Sequence, residues 1–228
     1  MTQVAVVIGA GGGLGGALLA ALEAEGSFGQ VIGLGRSTQP PLDLLSEPGI
    51  AAAAAIVAAA GELRLVLDAT GFLHGGGFSP ERSLRALDPG HMAHAYAVNA
   101  IGPALLMKHF CPLLPRRGRS VFATLSARVG SIGDNRLGGW HSYRAAKAAL
   151  NQLVRTAAVE MGRSHPEAIL ASLHPGTVAT PLSAPFAKSG LAVRPAEQAA
   201  QDLLAVVAGL GTKDSGGFFD QTGAAIPW

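Results

Sequence analysis

Val4-Ala5-Val6-Val7-Ile8-Gly9-Ala10-Gly11-Gly12-Gly13-Leu14-Gly15-Gly16, followed by an Ala- and Leu-rich run from Ala17 to Ala24, decides the fold. Five consecutive apolar residues, mostly β-branched, fit a strand covered on both faces, as in a parallel sheet. The glycines that follow lack Cβ atoms, so the backbone there can approach a ligand closely. The helix behind them offers free N–H groups and partial positive charge at its N-terminus. A strand, a glycine turn and a helix together form a cradle for a pyrophosphate. The spacing Gly9-x-x-x-Gly13-x-Gly15 differs from the common dinucleotide fingerprint, and a tight turn without a ligand is the competing reading.

Strand-like and helix-like segments alternate outward from this unit. Gln30–Gly35 reads as a second strand, Leu42–Leu44 as a short third, and Leu63–Asp68 as a fourth. Ser120–Leu125, Ile169–Leu173 and Gly217–Asp220 complete seven. Between them, Glu47–Ala60, Asp88 to about Leu114, Trp140 to about Gly162 and Pro195–Leu210 read as helices. The expected fold is therefore α/β: a single Rossmann-type, doubly wound domain over residues 1–228, with a mostly parallel seven-stranded sheet and helices on both faces.

Composition narrows the function. Of 228 residues, 49% are hydrophobic and 14% charged, which fits a packed core and argues against a disordered chain. Seventeen Lys and Arg against fifteen Asp and Glu leave no basic patch, so no nucleic-acid partner is expected. No Lys or Arg precedes Arg36, so no secretory leader is expected, and the Ala-rich run from Ile50 to Ala60 is too short to span a membrane. The lone Cys111 has no intrachain partner, and a cytoplasmic protein is the expectation. His91 and His94 share a helix face without carboxylate or thiolate company, and read as surface residues rather than metal ligands.

Several residues point to chemistry. Tyr143 and Lys147 stand four apart at the start of a helix that Ser142 is placed to cap, so they share one face. An ammonium within ~4–6 Å of a phenol lowers the phenol's pKa by about 1–3 from its ordinary value near 10, toward useful acid–base chemistry. Ser126 sits at the carboxyl end of a strand, facing the crevice where open α/β sheets bind ligands. Pro103 has no N–H to offer the carbonyl of Asn99, four residues back, so that carbonyl is free to hold an ordered water. Arg36 follows the second strand, and no Asp or Glu lies between Gln30 and Gln39, which favours NADP over NAD. Asp43 lies near the adenine end. A loop over Pro181–Arg194 has the composition of a lid.

Taken in order, Gly9-x-x-x-Gly13-x-Gly15, Asn99, Ser126 and Tyr143-x-x-x-Lys147 resemble the short-chain dehydrogenase/reductase family along essentially the whole chain. Leu73-His74, Pro80-Glu81-Arg82-Ser83-Leu84 and Asp134 to Trp140 further resemble its C-factor-like (C-signal-like) group. The resemblance implies Tyr143 as general acid/base and Lys147 as the residue that lowers its pKa and holds the nicotinamide ribose. It implies Ser126 as the group orienting the substrate oxygen and Asn99 as support for a water-linked proton relay. Gly9, Gly13, Leu14 and Gly15 match the pyrophosphate turn, and Arg36, Ser37 and Asp43 the adenosine end. Ala69, Thr70 and Gly71 lie beside the ribose, and Pro175, Gly176, Val178 and Thr180 match the segment that holds the nicotinamide amide. Two departures stand out. Ile8 replaces the usual Thr before the first glycine, and Asp68-Ala69-Thr70-Gly71 replaces the usual Asn-Asn-Ala-Gly.

The function implied is hydride transfer between NADP(H), with NAD(H) as the lesser option, and a small carbonyl or alcohol substrate. Self-association as a homodimer or homotetramer is implied by the same analogy. Two other readings remain: a nucleotide-binding regulatory protein that needs no turnover, and a dehydratase or epimerase on the same scaffold.

Overall fold

The computed structural model describes residues 1–186 and 192–228. The chain runs β1 (Gln3–Ile8), α1 (Gly13–Glu25), β2 (Gln30–Leu34), α2 (Glu47–Ala60), β3 (Glu62–Asp68), α3 (Pro89–Tyr96), a π-helical turn (Ala97–Ile101) and α4 (Gly102–Phe110). It continues with β4 (Ser120–Leu125), α5 (His141–Ser164), β5 (Ala168–His174), β6 (Thr177–Val178), β7 (Val193–Arg194), α6 (Ala196–Gly209) and β8 (Gly217–Asp220).

Six strands form one sheet in the order β2-β1-β3-β4-β5-β8, every neighbouring pair parallel. The alternation of side chains along each strand feeds two cores. Val4, Val6, Ile8, Val66, Phe122 and Leu170 meet α2, α4 and α5 on one face. Ala5, Val7, Leu65, Val121, Ala123 and Ile169 meet Leu18 and Leu22 of α1 and Leu203 and Val207 of α6 on the other. Each such Leu, withdrawn from water, contributes about 1.5–3 kcal/mol. The strand order reverses between β2 and β3, on either side of β1, and that switch point places a ligand crevice at the carboxyl ends of β1 and β3.

Two expectations change. Leu42–Leu44 adds no strand, so among the described residues the main sheet has six strands, and a separate two-stranded pair joins β6 to β7. The Thr38 hydroxyl accepts from Gly35 N and donates to the carbonyls of Gly35 and Pro40, and Leu42 N donates back to Gly35 O at 2.8 Å. Pro40 and Pro41 have no N–H for a ladder, so contact with the sheet stops at a single Gly35–Pro41 bridge. The Pro181–Arg194 stretch ends in β7, and residues 187–191 lie outside the described residues.

Candidate active site

The glycine turn sits at the switch point. Gly9 N and Ala10 N both donate to Leu34 O, at 2.7 and 3.1 Å, and Ala69 N donates to Ile8 O at 2.8 Å. Gly9 has φ 86°, and a Cβ there would lie 3.0 Å from the Ala69 backbone. A Cβ on Gly15 would lie 2.1 Å from Gly9 O, so only glycine lets α1 begin so close to the turn. Gly11, Gly12 and Gly13 are exposed. The first turn of α1 has neither a capping side chain nor an acidic residue, which leaves its N–H groups for an anion. Thr180 faces this turn, since a Gly13 Cβ would be 3.1 Å from its Cγ2. Leu14 turns its side chain into the core, so only its backbone N–H is left for a ligand.

Around the adenosine end, Arg36 and Ser37 are exposed just past β2, and a Cβ on Gly11 would lie 3.3 Å from Ser37 Oγ. Asp43 is exposed too, and its carboxylate accepts from Leu45 N at 3.0 Å. At the other end, Pro175 and Gly176 follow β5 and are half-buried, and Val178 is buried in β6.

The catalytic candidates converge on the same edge. Ser126 is buried directly after β4, and its N donates to Leu173 O at 2.7 Å. Its hydroxyl is buried and has no partner, which leaves it free to bond a ligand oxygen. Lys147 is buried in α5 with Nζ donating to Leu125 O at 2.7 Å and lying 5.9 Å from the Tyr143 ring centroid. A Cβ on exposed Gly71 would lie 3.6 Å from Asn99 Oδ1 and 3.9 Å from Lys147 Nζ, so the absent side chain leaves both within reach of the crevice.

Asn99, fully buried in the π-helical turn, clasps the loop after β3. Its Oδ1 accepts from Phe72 N at 2.9 Å, and its Nδ2 donates to Phe72 O at 2.8 Å. Pro103 follows in the first turn of α4, and Gly102 N bonds back to Ala97 O. The π-turn is thus where the proline-interrupted ladder is made up.

The electrostatics differ from the sequence expectation. Burial pushes the Tyr143 phenol up to about 12, and pushes Lys147 down to about 8 against the opposing pull of Asp68. The chain's own groups therefore do not lower the phenol's pKa: its loss of water outweighs an ammonium held by the Leu125 carbonyl. Asp68, which the sequence reading does not place among the site candidates, lies next to them, and a charge closing an apolar strand is a readable signal. It is 1% exposed and accepts from Thr70 N, Thr70 Oγ1 and Thr124 Oγ1 at 3.0, 2.6 and 2.6 Å. Thr70 is thereby turned toward Asp68, while Ala69 packs against the β1–α1 core.

Glu81 is a second residue that sequence alone does not single out. Ser142 does not cap α5; it lies inside the first turn, and its N and Oγ both donate to the buried Glu81 carboxylate. Trp140 N donates to Glu81 O at 2.5 Å. A carboxylate is the better partner here because it also complements the helix dipole. His91 faces the same carboxylate at 3.4 Å and is buried, not at the surface. His91 and His94 pack with Phe72 and Phe78.

A family model described as enoyl-(acyl carrier protein) reductase matches residues 35–204. The chain is 34% identical over 147 residues to C-signal of Myxococcus xanthus, covering 64% of this chain and 84% of that one. It is 31% identical over 194 residues to 1-hydroxy-2-glutathionyl-2-methyl-3-butene dehydrogenase of Rhodococcus sp., covering 85% and 81%. The chain belongs to the short-chain dehydrogenase/reductase family. Among solved structures, this short-chain dehydrogenase/reductase resembles an NADPH-bound carbonyl reductase from chicken fatty liver, with TM-score 0.84, 26% identity and 100% and 99% of the two chains covered. Carbonyl reductase Sniffer of D. melanogaster, at TM-score 0.83 and 20% identity over the full length of both chains, shares the fold. An oxidoreductase of this family fits the crevice described above, and among the described residues no helix is long and apolar enough to cross a membrane.

Proposed function

We propose that this chain is an NADP(H)-dependent oxidoreductase acting between a carbonyl and an alcohol, with Tyr143 as the general acid/base. One observation carries the reading: the unpartnered, buried Ser126 hydroxyl lies at the same sheet edge as the helix face that bears Tyr143 and Lys147. The cofactor fits the chain. Gly9, Gly13, Gly15 and the Leu14 N–H would hold its pyrophosphate, in a turn that any Cβ at Gly15 would close. Arg36 and Ser37 would hold a 2′-phosphate, with Asp43 beyond them. Ala69, Thr70 and Gly71 would flank the adenosine ribose, Lys147 would hold the nicotinamide ribose, and Pro175, Gly176, Val178 and Thr180 the amide end. The bound dinucleotide supplies the hydride.

The chain supplies position and a proton. Ser126 Oγ donates to the substrate carbonyl oxygen, which gives that hydroxyl the partner it lacks within the chain. Tyr143 gives its proton to the oxygen as negative charge develops there. A phenol pushed up to about 12 still gives a proton downhill to an alkoxide, whose conjugate acid resembles water at about 15.7. The neutral phenol is the form that acts as the acid when the carbonyl is reduced. The Asn99 carbonyl, which Pro103 has no N–H to satisfy, supports an ordered water that returns the proton.

The test is a panel of carbonyl compounds with NADPH and NADH, followed by nicotinamide absorbance. Tyr143→Phe is expected to lose turnover by about 10² or more while NADPH binding persists. Comparable turnover in that variant rejects the role. A second reading, nucleotide binding that serves regulation without turnover, is favoured by the 34% identity to C-signal. A biological effect kept by Tyr143→Phe and lost by Gly13→Val would select it. Self-association as a homodimer or homotetramer is supported by Ile101, Leu153 and Val159, which leave apolar surface exposed on the α4 and α5 side, and light scattering tests it.

A further inference from the structure

We infer that Trp140 is a specificity-determining wall of the carbonyl pocket, and that it selects substrates with an aryl group beside the reacting carbon. The inference gives a substrate class to the site proposed above and rests on that reading for its kinetic test. Gly138, Gly139 and Trp140 have φ values of 62°, 66° and 53°, three successive residues in the left-handed region. Glycine adopts it freely. Trp140 is the only described non-glycine residue in the chain that does so, and a bulky residue there is a genuine outlier. An outlier of this kind next to a reacting group points to function.

The conformation is held from outside. Trp140 N donates to Glu81 O, Ser142 is bound by the Glu81 carboxylate, and Arg144 Nε donates to Gly139 O at 2.9 Å. The two stretches that set the C-factor-like resemblance apart, Pro80–Leu84 and Asp134–Trp140, therefore meet at this one point.

The geometry delivers an indole beside the phenol. The Trp140 ring lies 6.3 Å from the Tyr143 ring at 69° and 5.2 Å from Phe186 at 67°. Phe186 in turn lies 5.3 Å from His74 at 65°. These edge-to-face contacts form a continuous row leading outward from Tyr143. Trp140, Phe186 and His74 all stay partly exposed, so the row lines a rim and is not core packing. A row of ring edges and faces takes up a further flat ring better than a saturated one of equal bulk.

The experiment compares acetophenone with cyclohexyl methyl ketone, its ring-saturated counterpart, using the enzyme with NADPH. The wild type is expected to favour acetophenone in kcat/KM by roughly tenfold, the size of one aromatic contact. Trp140→Gly, which suits the backbone, should fold, as a thermal melt will check, and lose that preference. Trp140→Phe should keep most of it. No preference in the wild type, or an unchanged one in Trp140→Gly, overturns the inference. Binding separates its failure from failure of the hydride reading. In Trp228→Phe, Trp140 is the only indole left of two. If neither ketone is turned over, tighter quenching of its fluorescence by benzamide than by cyclohexanecarboxamide upholds the aryl site while the reading of Tyr143-dependent ketone reduction fails. Equal or absent quenching overturns the aryl site.

Discussion

Replacing Asp68 by Asn removes one buried charge while leaving its hydrogen bonds a way to persist. Asn Oδ1 can still accept from Thr70 N and Oγ1, and the Thr124 hydroxyl can turn to accept from the new amide. What is lost is the negative charge that opposes the desolvation of Lys147. Burial has already brought that ammonium from 10.5 to about 8, on the order of 3 kcal/mol against the charged form. Removing a nearby opposite charge takes it down by about one more unit. In the proposed mechanism Lys147 holds the nicotinamide ribose, and its ammonium offers that ribose a charge-assisted donor that the neutral amine does not, so kcat/KM for reduction falls as pH rises through the Lys147 pKa. The wild-type limb is expected near pH 8. In Asp68→Asn it should lie about one unit lower, so activity at pH 8 drops roughly tenfold below that variant's own maximum.

Linkage gives a second readout with its sign fixed. A lysine whose folded pKa lies below its unfolded one leaves the unfolded chain holding more protons between the two values, so stability rises with pH across that window. The window runs from about 8 to 10.5 in the wild type and should open downward in Asp68→Asn. Steady-state pH profiles and urea melts at successive pH values measure both effects. Lys147→Arg, whose charge persists throughout, should move the kinetic limb upward out of range. A limb in Asp68→Asn that overlies the wild type, with an unchanged pH dependence of stability, refutes the coupling.

Three further outcomes are expected. Gly15→Ala drives a Cβ to 2.1 Å from Gly9 O, backbone against backbone, and should cost about 1–3 kcal/mol, or some 2–4 °C per kcal/mol in a melt, together with NADPH binding. Gly13→Ala meets the Thr180 side chain, Cγ2 at 3.1 Å and Cβ at 3.4 Å, and no backbone atom nearer than Thr180 Cα at 3.8 Å, so equal melting of the two variants would contradict the turn geometry. Glu81→Ala leaves the N–H of Ser142 and its hydroxyl without their buried acceptor, at about 1–3 kcal/mol, and a wild-type melting temperature would show that α5 needs no such anchor. Arg36→Gln should raise the KM for NADPH by about tenfold or more with little change for NADH, since a charge-assisted bond to phosphate is worth that much, and equal effects on both would remove the Arg36 assignment.

The fold was legible because its signals are local and repeated. The β-branched run Val4–Ile8 and the glycines after it announce a buried parallel strand and a turn, and Asp88-Pro89 announces a helix start that the structure keeps, with the Asp88 carboxylate accepting from His91 N at 2.6 Å. Leu42–Leu44 misled because three alternating residues say nothing of hydrogen-bond partners, and two prolines upstream deny the ladder its donors. Ser142 misled for a related reason. Its type and place suit a cap, but the competing carboxylate comes from Glu81, sixty-one positions away. Burial is equally non-local: the spacing of Tyr143 and Lys147 reveals a shared face, whereas the rise in the phenol's pKa depends on what the fold packs over it.

Asn99 shows how one residue type can answer two demands that the sequence presents separately. Pro103 denies its carbonyl a helical donor, which by itself would predict only a kink. The side chain, however, closes two hydrogen bonds on the backbone of Phe72, one to its N–H and one to its C=O, and only an amide offers a donor and an acceptor in that geometry. An aspartate would accept from the N–H and meet the C=O with like partial charge; a leucine would strand both groups in the interior. The π-turn that carries Asn99 is thereby pinned to the loop carrying Gly71, whose missing side chain keeps Lys147 reachable. The placement of the Asn99 carbonyl and the open approach to the ammonium thus depend on a single clasp, and loosening it should disturb both together.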